Sequence, residues 1–316
     1  MANEYFLQTA LDQVLVTSLA DYGKSVTDNA YQGNTLHALI TAQGRKKLVN
    51  GGTSIVRQLV DERQNDGGFY LGNDTLNTSQ SDTLNAVEYL WQNSYEPIQI
   101  SRDEERQNAG DEHKLISLLE TKIKLSELAI QQRMEQALST PTAGANNLID
   151  LETMVGTGTL GSIAGATQTF WQSTVTASGA FATQGLSDMT TAYYAVSGSQ
   201  SMENPTHFLT TKAIFQKYEQ TRLPLERFQN TMTANAGFEN LTFKGKPITY
   251  LNFIGSGLIF GLNMNYIDLV VDTETDYITT PFVVPTNQTA KIAFILFRGN
   301  MITDNRRRHF KLTSVS

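Results

Sequence analysis

Apolar residues recur at helical spacing near the start of the chain. Phe6, Leu7, Ala10, Leu11, Val14, Leu15 and Leu19 make one stripe within residues 4–21, and Gly23 supplies a stop. A helix this short persists only when docked. The stretch that follows, to Asn34, is polar and weakly periodic, so the opening residues form an arm and not a compact domain. Beyond residue 53 the pattern becomes strand-like. Ile55, Val56, Leu59 and Val60 predict one strand; Tyr95, Ile98 and Ile100, with Gln99 on the alternate face, predict another. Between them Asn73 to Thr83 is polar, and Gly67 and Gly68 lie on the outward limb. These are the limbs of a long hairpin-like excursion with a solvated tip. A two-stranded ribbon is marginal in water, so the excursion is expected to lean on its own body or on a neighbouring subunit.

Residues 102–139 carry the clearest helical signal. Ser101 and Glu104 have capping-box spacing, and Gly110 separates a short first helix from a longer one after Asp111. Leu115, Leu118, Leu119, Ile123, Leu125, Leu128, Met134 and Ala137 supply its apolar face. Lys114, Lys122, Lys124, Glu127 and Arg133 occupy the rest. At about 1.5 Å per residue the stretch from Asp111 to Ser139 is a rod of roughly 40 Å, a spine. Pro141 and Gly144 end it. Residues 140–200 are rich in Gly, Ala, Ser and Thr and nearly free of charge. His207, Phe208 and Leu209, then Ala213, Phe215 and Tyr218, predict a strand followed by a helix. Residues 238–272 alternate or run apolar, with turns at Gly245 and at Gly255 to Gly257. The chain closes with the apolar run Lys291 to Phe297 and a basic tail, Arg306, Arg307, Arg308, His309 and Lys311. Helices and strands are segregated, not alternating as βαβ units, which makes the fold class α+β.

Composition narrows the picture a little. At 316 residues the chain exceeds the roughly 250–300 at which a single core stops growing, which predicts two lobes. It has no cysteine, so disulfides, thiolate metal sites and cysteine nucleophiles are excluded. The net charge of −7 repels phosphate on average and argues against a protein that grips nucleic acid. No stretch approaches the roughly 18 apolar residues of a membrane helix. Glu4 and Asp12 interrupt any signal-like N-terminus, so the sequons at Asn73, Asn77, Asn240 and Asn287 are chance matches.

Candidate chemistry is sparse. Gly156-Thr-Gly158-Thr-Leu-Gly161 matches G-x-G-x-x-G, but a dinucleotide site needs a preceding strand and an acid about 20 residues on. Asn147 to Val155 looks like helix or loop, and the next acid is Asp188, so a flexible glycine loop is the better reading. His37, His113, His207 and His309 show no metal-ligand spacing, and no G-x-S-x-G elbow occurs. Asp272, Glu274 and Asp276 alternate as a cation site could, but the glycine and terminal glutamate of a calcium loop are missing. A solvated strand edge or loop accounts for them better. Arg306 to Arg308 could touch phosphate or pair with carboxylates across subunit contacts; the acidic net charge favours the second. The chain shows no catalytic residues, no cofactor site and no metal site.

Several short motifs stand in a fixed order over the last two-thirds of the chain. Pro285 to Gln288 form a turn, Ile292 to Phe297 an apolar strand, Gly299 and Asn300 a pair, and Asn305 to Arg307 an Asn-Arg-Arg ending. Phe243-Lys244-Gly245 leads into a strand, with Leu262-Asn263 before Tyr266, Leu269 and Val271. Phe208 to Thr211 precedes Phe215 and Tyr218, and Gly161 to Gln172 holds Ile163, Thr167 and Trp171. In this order the motifs resemble those of the tailed-bacteriophage major capsid proteins, over about residues 101–312. Members often carry a double glycine and a proline in the central loop, where this chain has Gly161-Ser162 and Thr169.

The resemblance implies the Hong Kong 97-type capsid fold. It assigns 1–50 to an N-terminal arm, 51–100 to the extended E-loop, and 101–140 to the spine helix of a peripheral domain. It assigns 141–285 mostly to an axial domain and 286–316 to a closing strand and C-terminal tail. It implies an icosahedral shell of hexamers and pentamers around packaged double-stranded DNA, held without sequence-specific contacts. It also implies a virion location, with host cytoplasm during assembly. Expected partners are the chain itself, a portal protein and, because the chain begins almost at the arm, a separate scaffolding protein; a decoration protein is left open. No membrane is involved. The inter-subunit contacts are expected from Phe6, Leu11, Leu15, Ile55, Leu59, Tyr95, Ile98, Arg306, Arg307 and Arg308. An encapsulin-like protein compartment on the same fold and a nucleotide-binding enzyme using Gly156 to Gly161 are the alternatives.

Overall fold

The computed structural model describes residues 35–61, 69–75, 84–108, 112–141, 146–198, 203–226, 241–286 and 288–316. The arm helix predicted from Phe6, Leu11 and Leu15 lies outside them. In chain order the elements begin with helix α1 (Thr35–Ala42), β1 (Lys46–Val49), β2 (Ser54–Val60), β3 (Leu84–Leu90) and β4 (Gln92–Ile100). Then come α2 (Arg102–Asn108), α3 (Glu112–Ser139), α4 (Leu151–Met154), β5 (Thr159–Leu160), β6 (Ile163–Ala164) and β7 (Thr174–Ala177). After these come α5 (Leu186–Val196), β8 (His207–Thr210), α6 (Lys212–Glu226), β9 (Thr242–Phe243), β10 (Lys246–Tyr250) and β11 (Ile259–Leu262). β12 (Ile267–Thr279), β13 (Lys291–Thr303) and β14 (Phe310–Thr313) close the chain. They fall into two compact units. Unit 1 takes the described residues of 1–51, 92–150 and 268–301, and unit 2 those of 52–91, 151–267 and 302–316.

Unit 1 is a four-stranded sheet, order β1-β12-β13-β4, with α3 along β4. β1 runs parallel to β12, and β13 antiparallel to β4 with Lys291 opposite Ile100. β4 is the edge strand, where every second carbonyl would lie unpaired. The spine covers that edge. Lys122 donates to Gln99 O at 2.9 Å, Ser126 to Pro97 O at 3.2 Å and Arg133 to Tyr95 O at 3.0 Å. Proline fits an edge strand because it has no N–H to offer the ladder. The capping box forms as predicted: the Ser101 amide donates to Glu104 at 3.0 Å, and the Glu104 amide to Ser101 Oγ at 3.3 Å. The Lys122 ammonium, with the Ser101 amide, holds the Glu104 carboxyl down at about 2.

Three expectations change here. Tyr95, Ile98 and Ile100 are not the hairpin's return limb but part of the unit 1 sheet, and Leu84–Leu90 is the limb that pairs with β2. The alternation of Val87 and Tyr89 carried that signal. Leu125 and Leu128 are exposed, while Leu119, Ile123, Ile130, Met134 and Leu138 are buried together with Glu127, Gln131 and Glu135. A polar residue stays buried where it is partnered, and Glu135 accepts the Leu36 amide at 3.2 Å at the start of α1. Asp272 is neither solvated nor at an edge. It is buried, pairs with Arg298 at 3.4 Å and lies in a strand flanked by β1 and β13.

Unit 2 is a six-stranded sheet, order β7-β14-β11-β8-β10-β9. Its core joins Phe208, Ile248, Ile259 and Phe310 of the sheet to Met189 and Tyr193 of α5 and Phe215 and Tyr218 of α6. The predicted strand-then-helix step at 207–218 is therefore one corner of this core. A separate pair, β2 and β3, forms the hairpin.

Buried titratable groups give the two units different responses to acid. In unit 2, His309 Nδ1 accepts the Asn263 amide at 3.2 Å, so the proton sits on Nε2, 3.2 Å from Thr303 Oγ1. Burial, with the Arg306 charge behind it, lowers its pKa to about 3. The unfolded imidazole, near 6.5, takes a proton first. The neutral ring therefore stabilises fully above about pH 6.5, and this is lost as pH falls toward the folded value. In unit 1 burial lowers His37 to about 4 and raises Glu135 to about 7. Glu135 binds its proton in the folded state first, so on acidification it offsets His37. Both tryptophans, Trp91 and Trp171, lie in unit 2. Urea unfolding followed by tryptophan fluorescence is expected to lose about 2 kcal/mol between about pH 7 and pH 5. His309→Gln is expected to flatten that slope.

Candidate functional site

β2 and β3 pair antiparallel from Ser54 opposite Leu90 to Val60 opposite Leu84. Alternate residues point to opposite faces of such a ribbon. One face carries Ile55, Leu59, Val87 and Tyr89, all buried. The other carries Val56, Val60, Leu84 and Leu90, between 58% and 71% exposed. A ribbon packed on one side and apolar on both is unfinished: burial has been completed on only one face.

The buried face is seated on its own unit. The Glu88 amide donates to Ser162 Oγ at 3.0 Å, and the Tyr89 hydroxyl to Thr303 O at 2.8 Å. Arg57 faces Asp304 at 3.6 Å. Gly161 lies directly beneath, with φ of 62°. A Cβ there would stand 2.6 Å from Val87 Cγ2 and 2.7 Å from Glu88 O, so both the backbone conformation and the space demand glycine.

The loop presenting Gly161 is held by Arg306. This side chain is 1% exposed. Its guanidinium donates from Nε to Met154 O at 2.8 Å and from Nη1 to Gly158 O at 2.5 Å and Trp171 O at 3.1 Å. Nη2 donates to Thr153 O at 2.7 Å. Ser173 Oγ returns a bond to Arg306 O at 2.8 Å, and Trp171 Nε1 donates to Leu160 O at 3.1 Å. Burial lowers the arginine pKa to about 10, so it stays charged at neutral pH. Gly156 to Gly161 is thus a pinned loop and not a flexible one. Within it the Gly158 carbonyl accepts from Arg306, the Gly156 carbonyl from the Ser173 amide and the Leu160 carbonyl from Trp171, and no helix opens at its end to receive a phosphate. Among the described residues no cluster of His, Asp and Glu could hold a metal ion, and no helix is long and apolar enough to cross a membrane.

The predicted contact residues separate on this frame. Ile55 and Leu59 belong to the seated face of the hairpin, and Ile98 is fully buried in the unit 1 sheet. Arg306 is spent on its own chain. Burial takes these side chains off the surface that a neighbour would touch. Tyr95 is exposed and meets Phe294 edge-on, their centroids 5.9 Å apart. Arg308 closes the end of α5, donating to Val196 O at 3.1 Å and pairing with Glu203 at 3.1 Å. Only Arg307 of the basic run is exposed; it borders a hollow of about 280 Å³ with Phe170, Trp171 and Tyr266. The chain also exposes an apolar trio that the sequence reading had passed over, Phe69, Tyr70 and Leu71. A tight turn presents it: the Leu71 amide donates to Asp74 Oδ2 and the Asp74 amide to Leu71 O, both at 2.8 Å. The Gly67-Gly68 pair just before it was the sequence signal available.

No family model and no curated protein matches this sequence. Solved structures do resemble it. The capsid asymmetric unit of cyanophage A-1(L) is 14% identical with a TM-score of 0.56, over 87% of this chain and 93% of that one. The capsid of an empty GTA particle is 10% identical with a TM-score of 0.60, over 87% and 96%. The capsid of Myoviridae phage XM1 is 12% identical with a TM-score of 0.57, over 87% and 91%. The chain therefore has the Hong Kong 97-type fold of tailed-phage capsids.

Arg306→Ala would leave four inward carbonyls without their donor and is expected to cost more than about 3 kcal/mol in urea unfolding. Arg306→Lys should recover little, because an ammonium cannot span the same fork. Gly161→Ala is expected to cost about 2 kcal/mol through overpacking and backbone strain, and to expose Tyr89 to quencher.

Proposed function

We propose that this chain is the major capsid protein of a tailed phage, assembling as hexamers and pentamers into an icosahedral shell around packaged double-stranded DNA. The observation that carries the reading is the fold, matched over 87% of the chain and more than nine-tenths of the capsid subunits it resembles. The half-finished hairpin supports it. Its outer face and the Phe69–Leu71 trio form apolar surface of the kind that marks protein contacts. A closed shell would bury that surface many times over, and multivalent closure makes weak contacts strong together.

In this reading unit 1, with α3 as spine, serves as the peripheral domain and most of unit 2 as the axial domain. The hairpin serves as the E-loop and residues 1–50 as the arm. The subunit is structural and performs no catalysis. Its location would be the virion, reached from host cytoplasm through a separate scaffolding protein and a portal. Phe69, Tyr70, Leu71, Tyr95 and Arg307, with the outer hairpin face, replace the buried residues as contact candidates. The net charge of −7 suits a wall that encloses DNA without gripping it.

Electron microscopy of the protein expressed with its scaffold is expected to show closed particles; monomers under every assembly condition would sink the proposal. Phe69→Ser combined with Tyr70→Ser removes exposed aromatic anchors, each worth about 2 kcal/mol at a contact. Sedimentation should then show loss of shells, while circular dichroism shows a subunit folded as before.

A further inference from the structure

The linker from β1 into the hairpin carries an arrangement that the shell reading does not use. Asn50-Gly51 is the only Asn-Gly pair in the sequence. Asn50 is exposed. Gly51 has φ of 58°, a left-handed backbone that favours glycine, and a Cβ there would meet nothing within 4 Å, so the position is open. The Gly51 amide donates to Asp272 Oδ1 at 3.3 Å. That amide nitrogen is the nucleophile by which an Asn-Gly pair can cyclise, and the group accepting its hydrogen bond is a carboxylate.

The surroundings keep Asp272 ionised. Burial alone would raise its pKa, but the Gly51 and Glu274 amides, the Thr275 hydroxyl and Arg298 together hold it below the ordinary value. Arg298 approaches from β13 at 3.4 Å, and Glu274 is the nearest acid on its own strand. The lysines of β1 are engaged elsewhere, Lys46 with Asp276 and Lys47 with Asp268. A base within reach of the proton it removes is the geometric requirement for general-base catalysis.

We propose that Asn50 is a self-modification site, deamidated through a succinimide with Asp272 as the base. Gly51 N attacks Asn50 Cγ while its proton passes to Asp272. The amide nitrogen of Asn50 then leaves as ammonia, taking that proton. Water opens the ring at either carbonyl, leaving aspartate or isoaspartate at position 50. One water is consumed, one ammonia is released, and nothing is oxidised or reduced. The product adds a carboxylate beside Asp272. In the isoaspartate form it also adds one carbon to the backbone just before the Gly51–Gly52 junction, where the chain passes from unit 1 to unit 2. The joint feeding the hairpin would thus change irreversibly with the age of the subunit.

The test compares the intact protein with the same chain in concentrated urea, by peptide mapping over time at about pH 6 and about pH 8. Free Asn-Gly cyclisation depends on hydroxide and slows steeply in acid, whereas Asp272 stays ionised. Native Asn50 is therefore expected to deamidate roughly tenfold faster than the unfolded chain at about pH 6, with a shallow pH dependence. Asp272→Asn should bring the native rate down to the unfolded one. A native rate equal to or below the unfolded rate at both pH values overturns the proposal, and needs no variant to fold.

Discussion

A guanidinium buried with main-chain carbonyls as its partners is the constraint on which unit 2 depends. Stripping water from an arginine is costly unless its donors are met. Arg306 meets the cost with carbonyls of Thr153, Met154, Gly158 and Trp171. Such an arrangement holds a loop more tightly than a carboxylate would, because each bond fixes a peptide plane and not a swinging side chain. The glycines are the other half of the device. A Cβ at Gly156 would stand 3.4 Å from Arg306 Nη2, and one at Gly165 would stand 2.5 Å from Thr157 O. The motif that resembles a phosphate cradle is instead tied to its own chain, through Gly158 to Arg306, Gly156 to Ser173 and Leu160 to Trp171.

The hairpin depends on that loop. Its seat consists of Gly161, Ser162 and Thr303, and two of these three lie in or beside the loop that Arg306 shapes. A two-stranded ribbon has little stability of its own. The seat lets it stand with one face buried, while its second apolar face is exposed. A segment held rigid in this way would bind any partner at less cost, because ordering a loose segment at the moment of contact subtracts from the binding free energy.

Unit 1 solves a different problem. Its edge strand β4 would invite pairing with any other strand, and the spine closes it with Lys122, Ser126 and Arg133 aimed at successive outward carbonyls. The edge is thereby blocked within the subunit. The surface left on β4 is formed by side chains such as Tyr95, whose exposure follows from the strand's alternation.

Much of this was legible from the residues alone. The spine, its capping box, the strand-then-helix step at 207–218 and the closing strand at 291–297 follow from local periodicity, which the backbone obeys without reference to distant residues. The α+β class and the resemblance to tailed-phage capsids follow from the order of those elements. Pairing and burial do not. Local pattern marks Leu84–Leu90 as a strand but does not say that β2 pairs with it and not with Tyr95–Ile100, because both runs alternate and the pairing is made in the folded chain. It could not separate Arg306, Arg307 and Arg308, which are equal in composition. One is buried among carbonyls, one closes a helix and one faces water. It could not distinguish Leu125 and Leu128 from their buried neighbours, or a buried Asp272 from a solvated one. Local pattern determines which elements form; which side of each is covered depends on residues distant in the sequence, and only the folded chain brings those together.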